Sequence, residues 1–146
     1  KGSCIVHEQF SAKEIQDISK EIITVVVKAK PEEFEDSSVV KVAIAFSNVE
    51  DNQTDVGNAL YFSRACIPTG NATVWHHIGI YSWRRNTLER FVKLKPSSLE
   101  KSEKLEQLRA LEAGINIHSI VTDEHPIGVD TEKDLEKAEN YFRDLT

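Results

Sequence analysis

A glycine between a histidine and a tyrosine, at two-residue steps in a strand-like run, marks a place where a ligand can lie. His77, Gly79 and Tyr81 stand in that order within VWHHIGIYSW. Period-2 alternation puts them on one face with Trp75 and Trp83. It puts His76, Ile78, Ile80 and Ser82 on the other face, which is mostly core-like. Glycine inside a strand often marks the close approach of a ligand or another backbone, and the flanking imidazole and phenol can exchange hydrogen bonds with a polar molecule. The same glycine can mark a β-bulge, and a His and a Tyr can be core residues with satisfied polar tips.

Charged residues elsewhere offer complementary chemistry. Arg64 ends the preceding strand-like run, residues 59–64, as the chain enters Ile67-Pro68-Thr69-Gly70. A guanidinium there can fork onto a carboxylate or phosphate, or can be a surface Arg at a strand end. Glu103, Glu106, Gln107 and Arg109 decorate a helical segment, and on pattern alone they read as its wet face. Asp130, in GVDT, stands on a turn between a sheet and a helix. Ligands gather at such edges of open α/β sheets, and a carboxylate there can hold Mg²⁺ together with substrate phosphates, or simply cap the turn. Glu50, Asp51 and Asp55 lack an EF-hand pattern and read as a solvated turn.

The elements that must position these groups are legible as an alternation of strand and helix signals. Residues 4–6 read as a short strand. Ser11 with Glu14 makes a capping box for a helix whose apolar face is Ile15, Ile18 and Ile22. Residues 22–27 are rich in β-branched side chains and read as a strand. Pro31 to Phe34 reads as one helical turn with Pro first. Residues 39–46 are nearly all apolar and read as a strand covered on both faces. Residues 47–58 are polar and acidic and read as an exposed loop. In the strand at 59–64, Leu60, Phe62 and Arg64 share a face. A helix over 86–94 carries Leu88, Phe91 and Val92. Pro96 ends it, Ser97 and Glu100 form a second capping box, and a helical segment with a Leu105, Leu108, Leu111 stripe runs towards Ala113 and a C-cap Gly114. Residues 115–122 read as a strand with His118 outward. A last helix follows Thr131, with Leu135, Ala138 and Phe142 as its inner face.

Composition narrows the functional classes. The chain has 146 residues, 40% hydrophobic and 29% charged, with a net charge of −6. That fits one soluble domain and argues against nucleic acid or an anionic membrane as the main partner. No run of about 18 apolar residues exists to span a membrane. Cys4 and Cys66 lie far apart and read as free thiols of a reducing cytoplasm.

Four fragments then fall into one order: ALYFSRACIP, HIGIYSWRRNTLERFV, PSSLEKSEKLEQLRALEAG and GVDTEKDLEKA. Together they resemble the C-terminal half of the 3-deoxy-manno-octulosonate (Kdo) cytidylyltransferases, also called CMP-Kdo synthetases, from about Gly57 to Phe142 and more weakly over residues 11–46. The resemblance implies an α/β fold, a mixed sheet with flanking helices forming the later part of a Rossmann-like nucleotide-diphospho-sugar transferase. It implies a reaction in which the anomeric hydroxyl of Kdo attacks the α-phosphate of CTP, releasing pyrophosphate and forming CMP-Kdo for lipopolysaccharide synthesis. By position it makes Arg64, His77, Tyr81, Glu106 and Gln107 Kdo-binding residues and Asp130 a Mg²⁺ ligand. A cytoplasmic homodimer, paired through PSSLEKSEKLEQLR, is also implied.

The departures from the family pattern are informative. KGSCIVHEQF stands where a second metal-binding Asp, in a QGD motif, is expected, and no phosphate-cradling loop precedes it. The expectation is one partial domain over residues 1–146, lacking the CTP-binding half, with slight turnover on its own. An exposed sheet edge would then invite self-association. The alternatives are a non-catalytic descendant serving as a binding or assembly module, and a cytidylyltransferase for another acidic sugar such as a sialic acid.

Overall fold

The computed structural model describes residues 21–46 and 56–123, together with 132, 135, 136, 139, 140 and 143. The expected strand at 4–6, the helix opened by Ser11, the acidic turn with Glu50, Asp51 and Asp55, and Asp130 lie outside the described residues. Five strands are described: β1 Ile22–Lys28, β2 Lys41–Phe46, β3 Val56–Ser63, β4 Trp75–Trp83 and β5 Ile117–Thr122. A 3₁₀ turn at Pro31–Glu33 follows β1. Helices α1 Arg85–Phe91, α2 Ser98–Glu103 and α3 Gln107–Glu112 lie between β4 and β5.

The strands form a mixed sheet that closes on itself in the order β1-β4-β2-β3-β5. Only β1 and β5 run parallel; the other ladders are antiparallel. β1, rich in valine and isoleucine, pairs on both sides, and Ile22, Ile23, Val26 and Val27 are buried. The expected open edge is absent among the described strands, because each has two neighbours. Closure is narrow, however: β2 meets β4 only through Lys41–His76 and Val42–Trp75. This also corrects the expectation that the whole second strand is covered on both faces. Lys41 and Val42 are buried, whereas Ala45, beyond the β4 ladder, is exposed.

Two bulges interrupt the ladders, and the one-residue bulge changes which face the side chains take. In the β2–β3 ladder Ala43 pairs with Tyr61 and Ile44 with Ala59, so Leu60 is the extra residue. The phase shifts there: Ala59 and Phe62 point inward, while Leu60 is 58% exposed and shares no face with Phe62. In the β1–β4 ladder Thr24 pairs with Tyr81 and Val25 with Ile78, leaving Gly79 and Ile80 unmatched. Trp75, His77, Tyr81 and Trp83 nevertheless share a face, as the alternation expects: the three large aromatic residues pack against the core and His77 is itself buried. On the face read as core-like, Ile78 is buried but Ser82 is exposed.

The core joins the ring to the helices through Val26, Val42, Phe62, Leu105, Leu108 and Ile117. Helix α1 turns Thr87 and Phe91 inward, leaving Leu88 and Val92 exposed, against the expected stripe. Phe91 fixes that rotation: its ring lies 4.8 Å from that of Trp83, and the Arg109 guanidinium sits 4.9 Å above it. The expected capping box is present, Glu100 N donating to Ser97 Oγ and Ser97 N to Glu100 Oε2. The single helical segment towards Ala113 is instead two helices, because Lys104 adopts a left-handed conformation (φ 57°) after α2. Gly114, at φ 70°, follows α3 as a C-cap glycine should. Residues 56–58, read as loop, belong to β3. The last described residues are helical, but Leu135 is 48% exposed; helical spacing marks an apolar stripe without supplying a surface to cover it.

The two strand glycines have opposite surroundings. A Cβ at Gly57 would run into Ile44 Cγ2 and lie 2.9 Å from Phe46 Cδ1, whereas one at Gly79 would meet nothing within 4 Å. Gly57→Ala is therefore expected to lower stability by about 1–3 kcal/mol through overpacking. Gly79→Ala is expected to leave it unchanged or raise it by up to about 1 kcal/mol. Urea unfolding midpoints of the two variants check the contrast.

Candidate functional site

Lys41 is the point from which the site is built. Its side chain is fully buried, and a buried ammonium must be solvated by protein dipoles. Nζ donates to the carbonyl oxygens of Asp36 (2.6 Å) and Arg64 (2.8 Å). The turn after the 3₁₀ segment is thereby tied to the end of β3. Ser38 N and Oγ both donate to Asp36 Oδ1, holding that carboxyl below its ordinary range.

Arg64 reaches across this junction. Its Nη1 donates to the Ser37 carbonyl at 2.8 Å and its Nε to the Glu103 carbonyl at 3.2 Å. Both partners are neutral main-chain oxygens. Among the described residues no carboxylate lies within ion-pair distance of the guanidinium, and Nη2 has no hydrogen-bond partner. The residue is half-buried.

Glu103 is the neighbouring acid, but its carboxylate is engaged elsewhere. It accepts from Tyr61 Oη (3.2 Å), Ser63 Oγ (3.0 Å) and the Arg64 backbone N–H (3.2 Å). Burial, and then the Glu103 charge, raise the Tyr61 phenol above its usual range. Lys41 and Glu103 were not singled out in the sequence. The available signal for Lys41 was a lone cation in an apolar strand; Glu103 looked like any acid on a helix surface.

His77 and Tyr81 sit together, their ring centroids 5.3 Å apart. Phe62, two residues before Arg64, meets His77 edge-on at 4.9 Å. Thr24 Oγ1 lies 2.8 Å from the Ile80 carbonyl and 2.9 Å from His77 Nε2. The carbonyl can only accept, so the hydroxyl proton goes to Ile80 and the ring donates from Nε2. Thr24 thus fills the β4 bulge and fixes the imidazole through Nε2. Burial first, and the adjacent His76 second, lower the His77 pKa to about 3, so the ring is neutral. Burial first, and the Glu106 charge second, push the Tyr81 phenol well above its usual value, so it remains a donor.

Glu106 and Gln107 begin α3, just past the left-handed Lys104. The Glu106 side chain is 82% exposed and lies 3.6 Å from Arg109 Nη2. Arg109 also binds the buried Glu100 carboxylate through Nε (2.7 Å) and Nη2, which holds Glu100 down to about 2. Of the residues singled out in the sequence, His77 and Tyr81 are in contact and Tyr81 feels Glu106. Arg64 is fastened to Glu103, three residues before Glu106. No hydrogen bond or ring contact among the described residues joins Arg64 to His77 or Tyr81.

The neutral His77 makes stability pH-dependent. Between its ordinary 6.5 and about 3 the unfolded chain binds more protons than the folded one. Its contribution is full above that window and is lost as pH falls through it. His77→Gln, which keeps a donor for Thr24, is expected to flatten this part of the profile. Denaturant midpoints taken from about pH 7 down to about pH 4 would expose a normally titrating imidazole as an unchanged slope.

Comparison with known proteins agrees with the fold and the motifs. A family profile described as cytidylyltransferase matches residues 5–119. The 3-deoxy-manno-octulosonate cytidylyltransferase of Rickettsia akari (strain Hartford) is 45% identical over 126 residues, which cover 86% of this chain and 48% of that protein. Its counterpart from Rickettsia prowazekii (strain Madrid E) is 46% identical over 125 residues, 86% of this chain and 47% of its own. A solved CMP:2-keto-3-deoxy-manno-octonic acid synthetase complexed with CTP superimposes with a TM-score of 0.78 at 32% identity, over 89% of this chain and 52% of that one. The chain spans about half the length of the curated relatives it matches. The mixed sheet with flanking helices is thus the expected fold, and the resemblance read from the motifs is borne out. On its matched profile, its sequence identity and its architecture, the chain belongs to the cytidylyltransferase family.

Proposed function

We propose that this chain provides the sugar-binding part of a CTP:Kdo cytidylyltransferase, the reaction that yields CMP-Kdo and pyrophosphate. The observation that carries the reading is Arg64: a half-buried guanidinium held by two neutral carbonyls, with Nη2 unpartnered among the described residues. Kdo is a polyhydroxylated acid, so its site needs a cation for the carboxylate and several hydrogen-bonding groups. Arg64 supplies the first. The neutral His77 accepts a hydroxyl at Nδ1, the protonated Tyr81 phenol donates, and Glu106 and Gln107 add an acceptor and an amide.

This division of roles is mostly positioning. A carboxylate fixed on Arg64 sets the orientation of the sugar, and groups of settled protonation state around it need no reorganisation when the hydroxyl reacts. Mg²⁺ belongs to the reading as the ion that would neutralise the triphosphate of CTP. Asp130 is the residue proposed to hold it. On this reading the site is incomplete in this chain, because Asp130 lacks the second Asp of the family pattern and alone would hold the ion poorly. Among the described residues no group of three or more His, Cys, Asp or Glu is gathered for a metal. A cytoplasmic location follows from the use of an intracellular nucleotide, and no helix of the described residues is long and apolar enough to cross a membrane. A homodimer through the segment of α2 and α3 is part of the same proposal.

Calorimetric titration with Kdo tests the site. The chain is expected to bind the sugar, and Arg64→Ala is expected to cost about 2–5 kcal/mol of that binding, at least ~30-fold in Kd. Unchanged affinity in the variant removes Arg64 from the site. Given CTP, Kdo and Mg²⁺, residues 1–146 alone are expected to release little pyrophosphate; rapid release would show that they also carry the nucleotide site.

A further inference from the structure

We propose that Glu103 is a positioning residue that aims Arg64 at the ligand carboxylate and fixes it relative to Glu106 and Gln107. The proposal rests on the reading of Arg64 as the carboxylate-binding group and extends it to a residue that need not touch the sugar.

The geometry is a two-point clasp in which Arg64 donates both times. The Arg64 backbone N–H donates to the Glu103 carboxylate at 3.2 Å, and the Arg64 side-chain Nε donates to the Glu103 main-chain carbonyl, also at 3.2 Å. These two bonds, both donated by Arg64, one from its backbone to a side chain and one from its side chain to a backbone, close a ring that restricts the torsions of the arginine. Ser63 Oγ and Tyr61 Oη tie the same carboxylate to β3, so it cannot swing onto the guanidinium without abandoning three donors. Glu103 therefore orients the cation without neutralising it. Ser37 and Lys41 complete the hold, on Nη1 and on the Arg64 carbonyl.

The same residue sets the second arm of the site. Glu103 is the last residue of α2, and Lys104 immediately turns left-handed. That turn ends the helix where its carboxylate meets β3, sends Leu105 into the core and starts α3 at Gln107. Arg64 on one side and Glu106-Gln107 on the other are thus referred to a single anchored residue.

The test separates aiming from general stability by asking which ligand loses affinity. Kdo and its C1 methyl ester, which lacks the carboxylate charge, are titrated calorimetrically into the unmodified chain and into Arg64→Ala, Glu103→Ala, Glu103→Asp and Glu103→Gln. The unmodified chain is expected to prefer the acid by about tenfold or more, and Arg64→Ala to lose that preference. Glu103→Ala is expected to lose most of it as well. Glu103→Gln, whose amide oxygen still accepts from the Arg64 N–H, is expected to keep it within about threefold. Should Glu103→Ala fail to fold, Glu103→Asp, with its carboxylate drawn back by one methylene, is read in its place. If the Glu103 variants weaken acid and ester equally, leaving the ratio unchanged while Arg64→Ala abolishes it, the aiming role is overturned and the sugar site stands. If the unmodified chain shows no preference for the acid, the Arg64 reading fails and this proposal falls with it.

Discussion

A buried ammonium is the constraint that the site is folded around. Lys41 has no exposed surface, and removing its charge from water is tolerable only because two carbonyl oxygens replace the lost hydration. Those oxygens belong to Asp36 and Arg64, far apart in sequence. Satisfying the cation therefore forces the turn after β1 and the end of β3 into one place. Once they are there, Ser37 presents its carbonyl to the Arg64 guanidinium, and α2 delivers Glu103 to the same corner. The polar network forms at the rim of an apolar ring, where β2 meets β4.

Electrostatically, the corner separates charge from polarity. Its cation faces neutral dipoles, its acid is engaged by hydroxyls and an amide, and its imidazole is kept uncharged by burial among Phe62, Tyr81 and Thr24. The helices repeat the logic with a true ion pair. Glu100 caps α2 and binds Arg109, which in turn covers Phe91, so the three helices are linked through one guanidinium. An ion pair buried in this way is well compensated because the carboxylate also accepts from the Ser97 backbone N–H.

Much of this was readable from the sequence wherever one local rule decides the outcome. β-branched runs gave β1 and β5, the Ser97-Glu100 pair announced the start of α2, and Gly114 the end of α3. The ordered motifs identified the family. What was not legible depends on long-range partners. Alternation assumes an unbroken ladder: the single extra residue at Leu60 reverses it with no local signature, whereas the two at Gly79–Ile80 leave it in phase. The rotation of α1 is set by Trp83 and Arg109, distant residues that its own apolar spacing cannot reveal. Lys41 looked like a lone cation inside an apolar strand, and Glu103 like solvent-facing decoration. Both acquire a role only from groups that β3 brings to them.

The two-pair ladder between β2 and β4 has a topological consequence. A cylinder of strands behaves as a unit only while every ladder holds, and this one is fastened by its shortest. Parting that fastener turns the cylinder into a flat ribbon with two free borders while leaving the longer ladders intact. Lys41 is one of the two β2 residues at the fastener, so the seam lies beside the ammonium that the Asp36 and Arg64 carbonyls hold.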